Sequence, residues 1–302
     1  MRRKVIQIAG STQLISLPRK WAVQHGIKKG DELEIEEKGN KILISTGKGI
    51  ESKNAEIDPP HLTNVTERYI TSFYRSGCKE IRVNYSSKDN PELVETLNKK
   101  MDDQTIGFEI VTQENDHFII KDLSGTSETG FDAALRRTFV LLTTMVKDSL
   151  DALKKKDKNT LKNMFFVDRS INKFTNFCAR ELISKGQMDF KQTAFYYHFL
   201  RDFEALSDQF SLLAVHYSSN LNPLPRQLLV VYEELYKIFS DYYNIFYNYS
   251  KGKVNNLFKR IKELNPEELF KIKEADPMFV YYLIIIHRRI KELIDSLIDI
   301  HV

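Results

Sequence analysis

The stretch "GSTQLISLPRKWAVQHGIKKGDELEIEEKGNKILIST", residues 10–46, changes its periodicity twice. A strand-like run ends at Pro18, a short helical pattern follows, and alternating strands resume after Gly30. Together with the alternating run 4–9, this segment offers strands of only about four or five residues, each with one apolar face. That is too little area for one copy to close a core, so we expect two copies to interleave their hairpins.

The charge of the first thirty residues is one-sided. They contain no acidic residue, and carboxylates return only from Asp31 onward. Their seven basic residues are Arg2, Arg3, Lys4, Arg19, Lys20, Lys28 and Lys29. Such a block at a folded terminus indicates a surface for a polyanion, and a plain solvated face is the alternative. The net charge of the whole chain is only +4, so composition alone does not indicate a nucleic-acid binder.

Length and composition bound the class of protein. A chain of 302 residues predicts two or three domains, and 42% hydrophobic with 28% charged residues is typical of a soluble globular protein. The longest apolar run, residues 279–286, is too short to span a bilayer, and no signal peptide precedes the first strand. Cys78 and Cys178 are the only cysteines, which excludes a disulfide framework. We expect a cytoplasmic protein without membrane insertion.

Residues 3–46 resemble the AbrB/SpoVT swapped-hairpin DNA-binding domain. The order strand, strand, "LPRKW", short helix, "GIKKGDELEIE", strand carries the resemblance. It implies that domain 1–46 forms a homodimer that presents basic loops to DNA. The contacts it implies come from Arg2, Arg3, Lys4, Arg19 and Lys20, with added hydrogen bonds from Ser11, Thr12 and Gln13. Arginine binds guanine or phosphate bidentately, whereas lysine acts as a point charge. The alternative is a module that only assembles the protein or grips a partner protein, as antitoxins of this type do.

The middle of the chain has two parts. Residues 47–60 are polar, contain two prolines and lack apolar periodicity, so they are predicted to be a linker. Residues 61–124 alternate as helix, strand, helix and two strands, which predicts a small α/β domain. No nucleophile–base pair or metal-ligand spacing appears in it. We therefore expect a spacer or docking domain, and no enzyme anywhere in the chain.

Residues 128–302 are predicted to form an antiparallel helical bundle, because short connections separate long amphipathic patterns. The predicted helices are roughly 131–155, 159–185, 189–218, 224–251, 253–263 and 277–301. The fold class is therefore multidomain α+β: a dimeric β head, a small α/β middle domain and a helical bundle.

Two carboxylates stand out on the third helix of the bundle. Glu204 and Asp208 lie one turn apart beside a continuous apolar stripe that runs from Phe195 to Leu213. Like charges at this spacing destabilise a bare helix by a few tenths of a kcal/mol. A basic side chain or a metal ion would offset the repulsion.

The stretch "LRDFEALSDQFSLLA" resembles the signature helix of PhoU proteins, regulators of phosphate uptake, and "VDRSINKFTNFCARELI" resembles its partner motif. The resemblance implies a divalent or iron-type metal on the bundle, held by Asp168, Asn172, Glu204 and Asp208. Two residues depart from the family pattern: Asn172 replaces a carboxylate, and Lys291 stands four residues before Asp295 in the second repeat. The alternative is that Arg201, Arg169 or another base neutralises the acidic pair.

The whole domain order resembles archaeal PhoU-like proteins that carry an AbrB-type head. This implies a DNA-binding transcriptional regulator of phosphate uptake or homeostasis, with a bundle that senses a ligand or docks on a partner. The competing interpretation is a PhoU-type adaptor that binds a phosphate transporter or a regulatory protein such as a sensor kinase, and uses the head only to dimerise. An antitoxin role is a third alternative.

Overall fold

The computed structural model describes residues 2–8, 12–38, 41–46, 54–59, 64–85, 91–123, 130–185, 188 and 190–302. The chain divides into two compact units, Met1–Ser52 and Lys53–Val302. The first contains the predicted head. The second contains the α/β segment and the helices.

The first unit consists of two small antiparallel sheets and one short helix. Its elements are β1 (Val5–Ile8), β2 (Thr12–Ile15), α1 (Arg19–Gln24), β3 (Glu34–Lys38) and β4 (Lys41–Ser45). β1 pairs with β2 and β3 pairs with β4, each as a separate two-stranded sheet. Pro18 precedes α1, and Gly26 takes a positive φ of 63° just after the helix, as a residue past a helix end commonly does. The order of elements predicted from the periodicity is confirmed.

The described residues of the first unit form no core within one chain. Among its described residues with a defined exposure, none is buried. Ile6, Ile8 and Leu14 lie on one face of the β1–β2 sheet and are 57%, 52% and 45% exposed. Ile35 and Ile42 share a face of the β3–β4 sheet and are both 66% exposed. An isolated two-stranded sheet is marginally stable in water, so these apolar faces need a partner.

The second unit begins with an α/β layer. Its elements are β5 (Asn54–Ile57), α2 (Asn64–Arg75), β6 (Glu80–Asn84), α3 (Pro91–Gln104), β7 (Phe108–Gln113) and β8 (His117–Asp122). The strands form one sheet in the order β5-β6-β8-β7, with β5 parallel to β6 and the other pairs antiparallel. Tyr74 of α2, Leu97 of α3 and Phe118 of β8 belong to one buried cluster, so the two helices cover one face of the sheet.

The linker predicted over residues 47–60 is corrected by β5. Residues 47–53 lie outside the described residues, but Asn54–Ile57 form a strand that pairs with β6. The strand alternates polar and apolar residues, but it is only four residues long and buries only Ile57, so the alternation is a weak signal. Its backbone hydrogen bonds to β6 hold it in place, and such pairing leaves no signal in side-chain composition.

Six long or medium helices follow. They are α4 (Phe131–Lys155), α5 (Lys158–Lys185), α6 (Phe190–Ser219), α7 (Arg226–Tyr247), α8 (Lys251–Glu263) and α9 (Pro277–His301). A 3-10 helix, Pro266–Lys271, precedes α9. All six predicted helices are confirmed; the largest difference is that α7 ends at Tyr247, where the polar segment "NYS" interrupts the apolar pattern. Within the described ranges, no helix combines the length and apolar character needed to cross a bilayer.

The bundle packs around an aromatic core. Phe139 of α4 contacts rings from both α6 and α7: its centroid lies 4.9 Å from Phe203 and 4.9 Å from Phe246. The predicted stripe of α6 is buried from Phe199 to Leu213, whereas Phe195 is only partly buried. Offset and edge-to-face aromatic pairs contribute about 0.5–1.5 kcal/mol each beyond the burial of their area.

The α/β layer docks directly on the bundle through Arg180 of α5. This side chain is buried and donates hydrogen bonds to the carbonyl oxygens of Tyr74 at 2.7 Å and Cys78 at 2.8 Å. Its second nitrogen pairs with the Asp122 carboxylate at 2.6 Å. Residues 61–124 and the bundle, predicted as separate domains, therefore pack as parts of the second unit. A buried arginine with every partner in place holds its neighbours in one geometry.

Candidate nucleic-acid interface and acidic cluster

The strand register of the first unit gathers its basic residues at one end of a hairpin. Val5 pairs with Ile15, so the arm before β1 and the start of α1 both leave the open end of the β1–β2 sheet. The residues placed at this end are Arg2, Arg3, Lys4, Arg19 and Lys20. All five are exposed, and among the described residues none of them is ion-paired. The open end therefore presents uncompensated positive charge.

Thr12 and Gln13 lie at the opposite end of the same hairpin. Thr12 pairs with Ile8 and Gln13 pairs with Gln7, next to the turn. At about 3.4 Å per residue, the turn end lies roughly 10–14 Å from the open end. Ser11 falls outside the described residues. The predicted contact residues thus separate into a basic group, whose two segments leave the open end of the hairpin, and a turn group at its opposite end.

Two further basic residues belong with the candidate interface. Lys28 and Lys29 are exposed in the turn between α1 and β3. Asp31 Oδ2 accepts a hydrogen bond from the backbone N–H of Lys28 at 2.7 Å, and Gly30 has a φ of 96°. This conformation holds the turn in place while both ammonium groups stay in solvent. Both lysines belong to the basic block of the first thirty residues, but they were not among the predicted DNA contacts.

The second site is a cluster of carboxylates between α5 and α6. Asp168 is buried, accepts a hydrogen bond from the Ser207 hydroxyl, and shares a hydrogen bond with Asp208. Asn172 donates to the Asp208 carboxylate. Burial raises the pKa of Asp168 to about 7, supported by the charges of Asp208 and Glu204 and opposed by the Ser207 hydrogen bond. Asp168 is therefore the partner that keeps the proton and donates the hydrogen bond, and the Asp208 carboxylate accepts it.

Glu204 is neutralised separately. It forms an ion pair with Arg201, and the charge of Arg75, at the end of α2, also acts on it. Burial nevertheless raises the pKa of Glu204 above its usual range. Arg169, the other base predicted to neutralise the pair, instead binds Asp103 of α3. Of the two arginines predicted to neutralise the acidic pair, Arg201 does so at Glu204, and Arg169 does not.

This arrangement does not fit the predicted metal site. Asp168 and Asp208 share a proton, and Glu204 is held by Arg201. Within the described residues, the three carboxylates do not place one oxygen each within 4.8 Å of one another. Among the predicted metal-ligand atoms that the structure describes, Asn172 Oδ1 is the one that is buried and accepts no hydrogen bond. Metal binding here stays a prediction.

Replacing Asp168 with asparagine tests the shared proton. The stabilising contribution of protonated Asp168 is complete below about pH 4 and is lost as the pH rises to about 7, because the folded state holds the proton more tightly. Asparagine keeps the shape and both hydrogen bonds without an ionisable group. We expect Asp168→Asn to be more stable than the wild type above pH 7, by up to about 4 kcal/mol, and the gain to vanish near pH 4.

The measurement is urea unfolding of both proteins at pH 4.5 and pH 8. Asp148→Asn, at an exposed position of α4, is the matched control and should leave the pH dependence unchanged. A stability difference between Asp168→Asn and the wild type that is equal at the two pH values would contradict the shared proton. Repeating the pH 8 series with Mn²⁺ tests the metal prediction, which requires that the ion stabilise the wild type and not the variant.

The family match of this chain lies in the first unit. Residues 6–52 match the family described as antidote-toxin recognition MazE, bacterial antitoxin. The match supports a head of the AbrB-like type, a class whose members bind DNA and form dimers. It covers less than a sixth of the 302 residues, so it leaves the α/β layer and the bundle unassigned. No curated protein and no solved structure matches the chain.

Proposed function

We propose that the protein is a DNA-binding transcriptional regulator. The observation that carries the proposal is the group of five exposed, unpaired basic residues at the open end of the β1–β2 hairpin. Contacts from arginine and lysine to phosphates supply most of the affinity of such proteins for DNA. The protein is not an enzyme in this proposal, and it acts where the DNA is, in the cytoplasm.

The head acts as a homodimer in this proposal. Each copy leaves two apolar sheet faces without a partner, and a second copy with interleaved hairpins would cover them. Dimerisation also doubles the number of basic residues that meet DNA. A two-fold symmetric head fits an operator with two half-sites, whose spacing follows the helical repeat of DNA.

The bundle supplies the regulation. Its resemblance to PhoU proteins supports a role in phosphate uptake or homeostasis, with a ligand or a partner protein bound on the helical surface. Binding there would change the separation of the two heads and thereby the affinity for the operator, because half-site spacing is a geometric requirement. The rigid docking of the α/β layer through Arg180 supports transmission of such a change within the second unit.

A second candidate function is recognition of a partner protein. The description of the matched family, antidote-toxin recognition, favours protein recognition as the function of the first unit. The exposed Ile35 and Ile42 offer an apolar surface that a protein partner can cover. In this case the protein is an adaptor, for a phosphate transporter or a sensor kinase, and the head either assembles the protein or grips the partner.

Capture of genomic DNA fragments by the purified full-length protein distinguishes the two. We expect the wild type to recover a shared sequence, and the variant Arg2→Ala/Arg3→Ala/Arg19→Ala/Lys20→Ala to recover none. The matched control replaces four exposed lysines near the α4–α5 turn of the bundle with alanine, which removes the same charge from the protein. Those lysines are Lys155, Lys156, Lys158 and Lys162.

The neighbouring genes of a recovered site show whether phosphate is the process under control. Recovery of nothing above background by the wild type would contradict the regulator and favour the adaptor. Equal loss of recovery in the head variant and in the lysine control would show that binding follows net charge and does not depend on the head.

A further inference from the structure

The turn between β7 and β8 brings one imidazole and two carboxylates together. One ligand atom from each of Glu114, Asp116 and His117 lies within 4.8 Å of the other two. Across the part of the chain that the structure describes, no other three His, Cys, Asp or Glu side chains converge this closely. The stretch "QENDH" has the composition of an ordinary solvated turn, and the sequence analysis found no metal-ligand spacing in it.

Asp116 fixes the state of the histidine ring. Its carboxylate lies 2.7 Å from His117 Nδ1, within hydrogen-bond distance. An ionised carboxylate only accepts hydrogen bonds, so the proton of this bond belongs to Nδ1. In the neutral ring Nε2 then keeps its lone pair. Carboxylates orient metal-binding histidines in proteins in the same way.

The Nε2 atom lies 3.9 Å from Glu114 Oε1, close to the separation of two ligand atoms on one metal ion. The His117 side chain is only 8% exposed, and within the described residues Nε2 makes no hydrogen bond. Its nearest charged neighbour is Glu114 Oε1 at 3.9 Å, too far for a hydrogen bond. Two bonds of about 2.0–2.1 Å at a tetrahedral angle would set the ligand atoms about 3.4 Å apart. The Glu114 side chain is 62% exposed and can close the small difference by rotation.

The backbone of the turn is held from outside. The N–H of Tyr85 donates to the Asp116 carbonyl at 2.7 Å, and the Tyr85 hydroxyl donates to the Glu114 carbonyl. Across the turn, the N–H of Glu114 donates to the His117 carbonyl at 2.8 Å. These bonds fix the positions from which the three side chains project, so little further ordering is needed when an ion binds.

We propose that His117 Nε2 and Glu114 bind a divalent transition metal of the zinc type, with Asp116 as a positioning residue. Imidazole with carboxylate suits zinc and its neighbours, whereas magnesium prefers an all-oxygen shell with several waters. One chain supplies only two ligands, so water fills the remaining positions and the affinity is modest. The site lies in the second unit and stands independently of the DNA-binding proposal.

Titration of the full-length protein with ZnCl₂ by isothermal calorimetry tests the site. We expect one Zn²⁺ binding event that Glu114→Gln abolishes and Asp116→Asn weakens about ten- to a hundredfold. Both substituted side chains are mostly exposed, so folding is preserved. The control is His198→Gln, which removes a histidine that faces the single carboxylate of Asp202 at 3.4 Å and should leave the event unchanged. Mg²⁺ should produce no heat that depends on Glu114.

Nitrogen-15 spectra of the histidine rings separate positioning from mere structural support. Asp116→Asn should reduce the population of the His117 form with its proton on Nδ1, in parallel with the loss of Zn²⁺ affinity. The proposal is overturned if the Zn²⁺ titration of Glu114→Gln superimposes on that of the wild type. It is equally overturned if His198→Gln removes the same binding event.

Discussion

DNA binding by the wild-type protein will weaken steeply with salt, and the variant Arg2→Ala/Arg3→Ala/Lys4→Ala will bind more weakly and with a shallower slope. Each phosphate that a basic side chain neutralises releases counterions, so the logarithm of affinity falls by about 0.9 per contact for each tenfold rise in salt. With about six to ten contacts per dimer, affinity should drop by about 10³–10⁵ between 50 and 200 mM salt.

The variant removes three cations from each chain and six from a dimer. If all six contact phosphates, the slope becomes shallower by about five. These residues are suited to such contacts because they precede β1, are exposed, and are unpaired among the described residues of the first unit. No neighbouring carboxylate needs to be displaced when they meet a phosphate.

Fluorescence anisotropy of a labelled duplex at several salt concentrations measures both slopes. The matched control, Lys155→Ala/Lys156→Ala/Lys158→Ala, makes the same change in charge on exposed residues of the bundle. We expect its slope to equal that of the wild type. Equal slopes for the head variant and the wild type would contradict contact through the arm, and a wild type insensitive to salt would favour the adaptor.

The helices of the second unit were the most predictable part of the fold. The stripe from Phe199 to Leu213 repeats every three or four residues over a long stretch, and this period specifies a buried helix face by itself. The strands of the head were predictable for a similar reason, since alternation over four residues marks a half-buried strand. β5 was missed, because its four alternating residues lie in a polar segment that ends in two prolines and only Ile57 is buried.

The sites were predictable only as far as they follow from local spacing. The separation of four residues predicted that Glu204 and Asp208 lie together, and the grouping of Asp168 with them followed from the PhoU resemblance; the structure places Asp168 in hydrogen-bond contact with Asp208. Spacing could not predict that Asp168 shares a proton with Asp208, because that depends on burial and on Ser207. The separation of Thr12 from the basic group likewise follows from the register of a hairpin, and amino-acid composition does not determine that register.

The largest effect on assembly is expected from a charge on the apolar face of the first hairpin. Ile6 pairs with Leu14 on that face, beside Ile8, and all three are about half exposed in one chain. In an interleaved dimer this face is buried, so Ile6→Asp would place a carboxylate without a counter-charge in an apolar interface, twice per dimer. An unpaired buried charge costs about 3–5 kcal/mol, which weakens the dimer at least about a hundredfold.

The control for this variant lies one residue away. Gln7 sits on the opposite face of β1, opposite Gln13, so Gln7→Asp adds the same charge to the same strand without entering the apolar face. Sedimentation equilibrium should find the wild type and Gln7→Asp as dimers at micromolar concentration, and Ile6→Asp shifted toward the monomer. DNA binding should fall with the dimer, since a monomer presents only half of the basic residues.

Assembly and DNA binding of Ile6→Asp can change independently. If Ile6→Asp stays dimeric but loses DNA binding, the bundle also dimerises and the hairpin face serves the head specifically. If Ile6→Asp is indistinguishable from Gln7→Asp in both assembly and DNA binding, the apolar face is not an interface between copies. The exposed Ile35 and Ile42 on the β3–β4 sheet would then need another partner, which is the outcome that the partner-protein function requires.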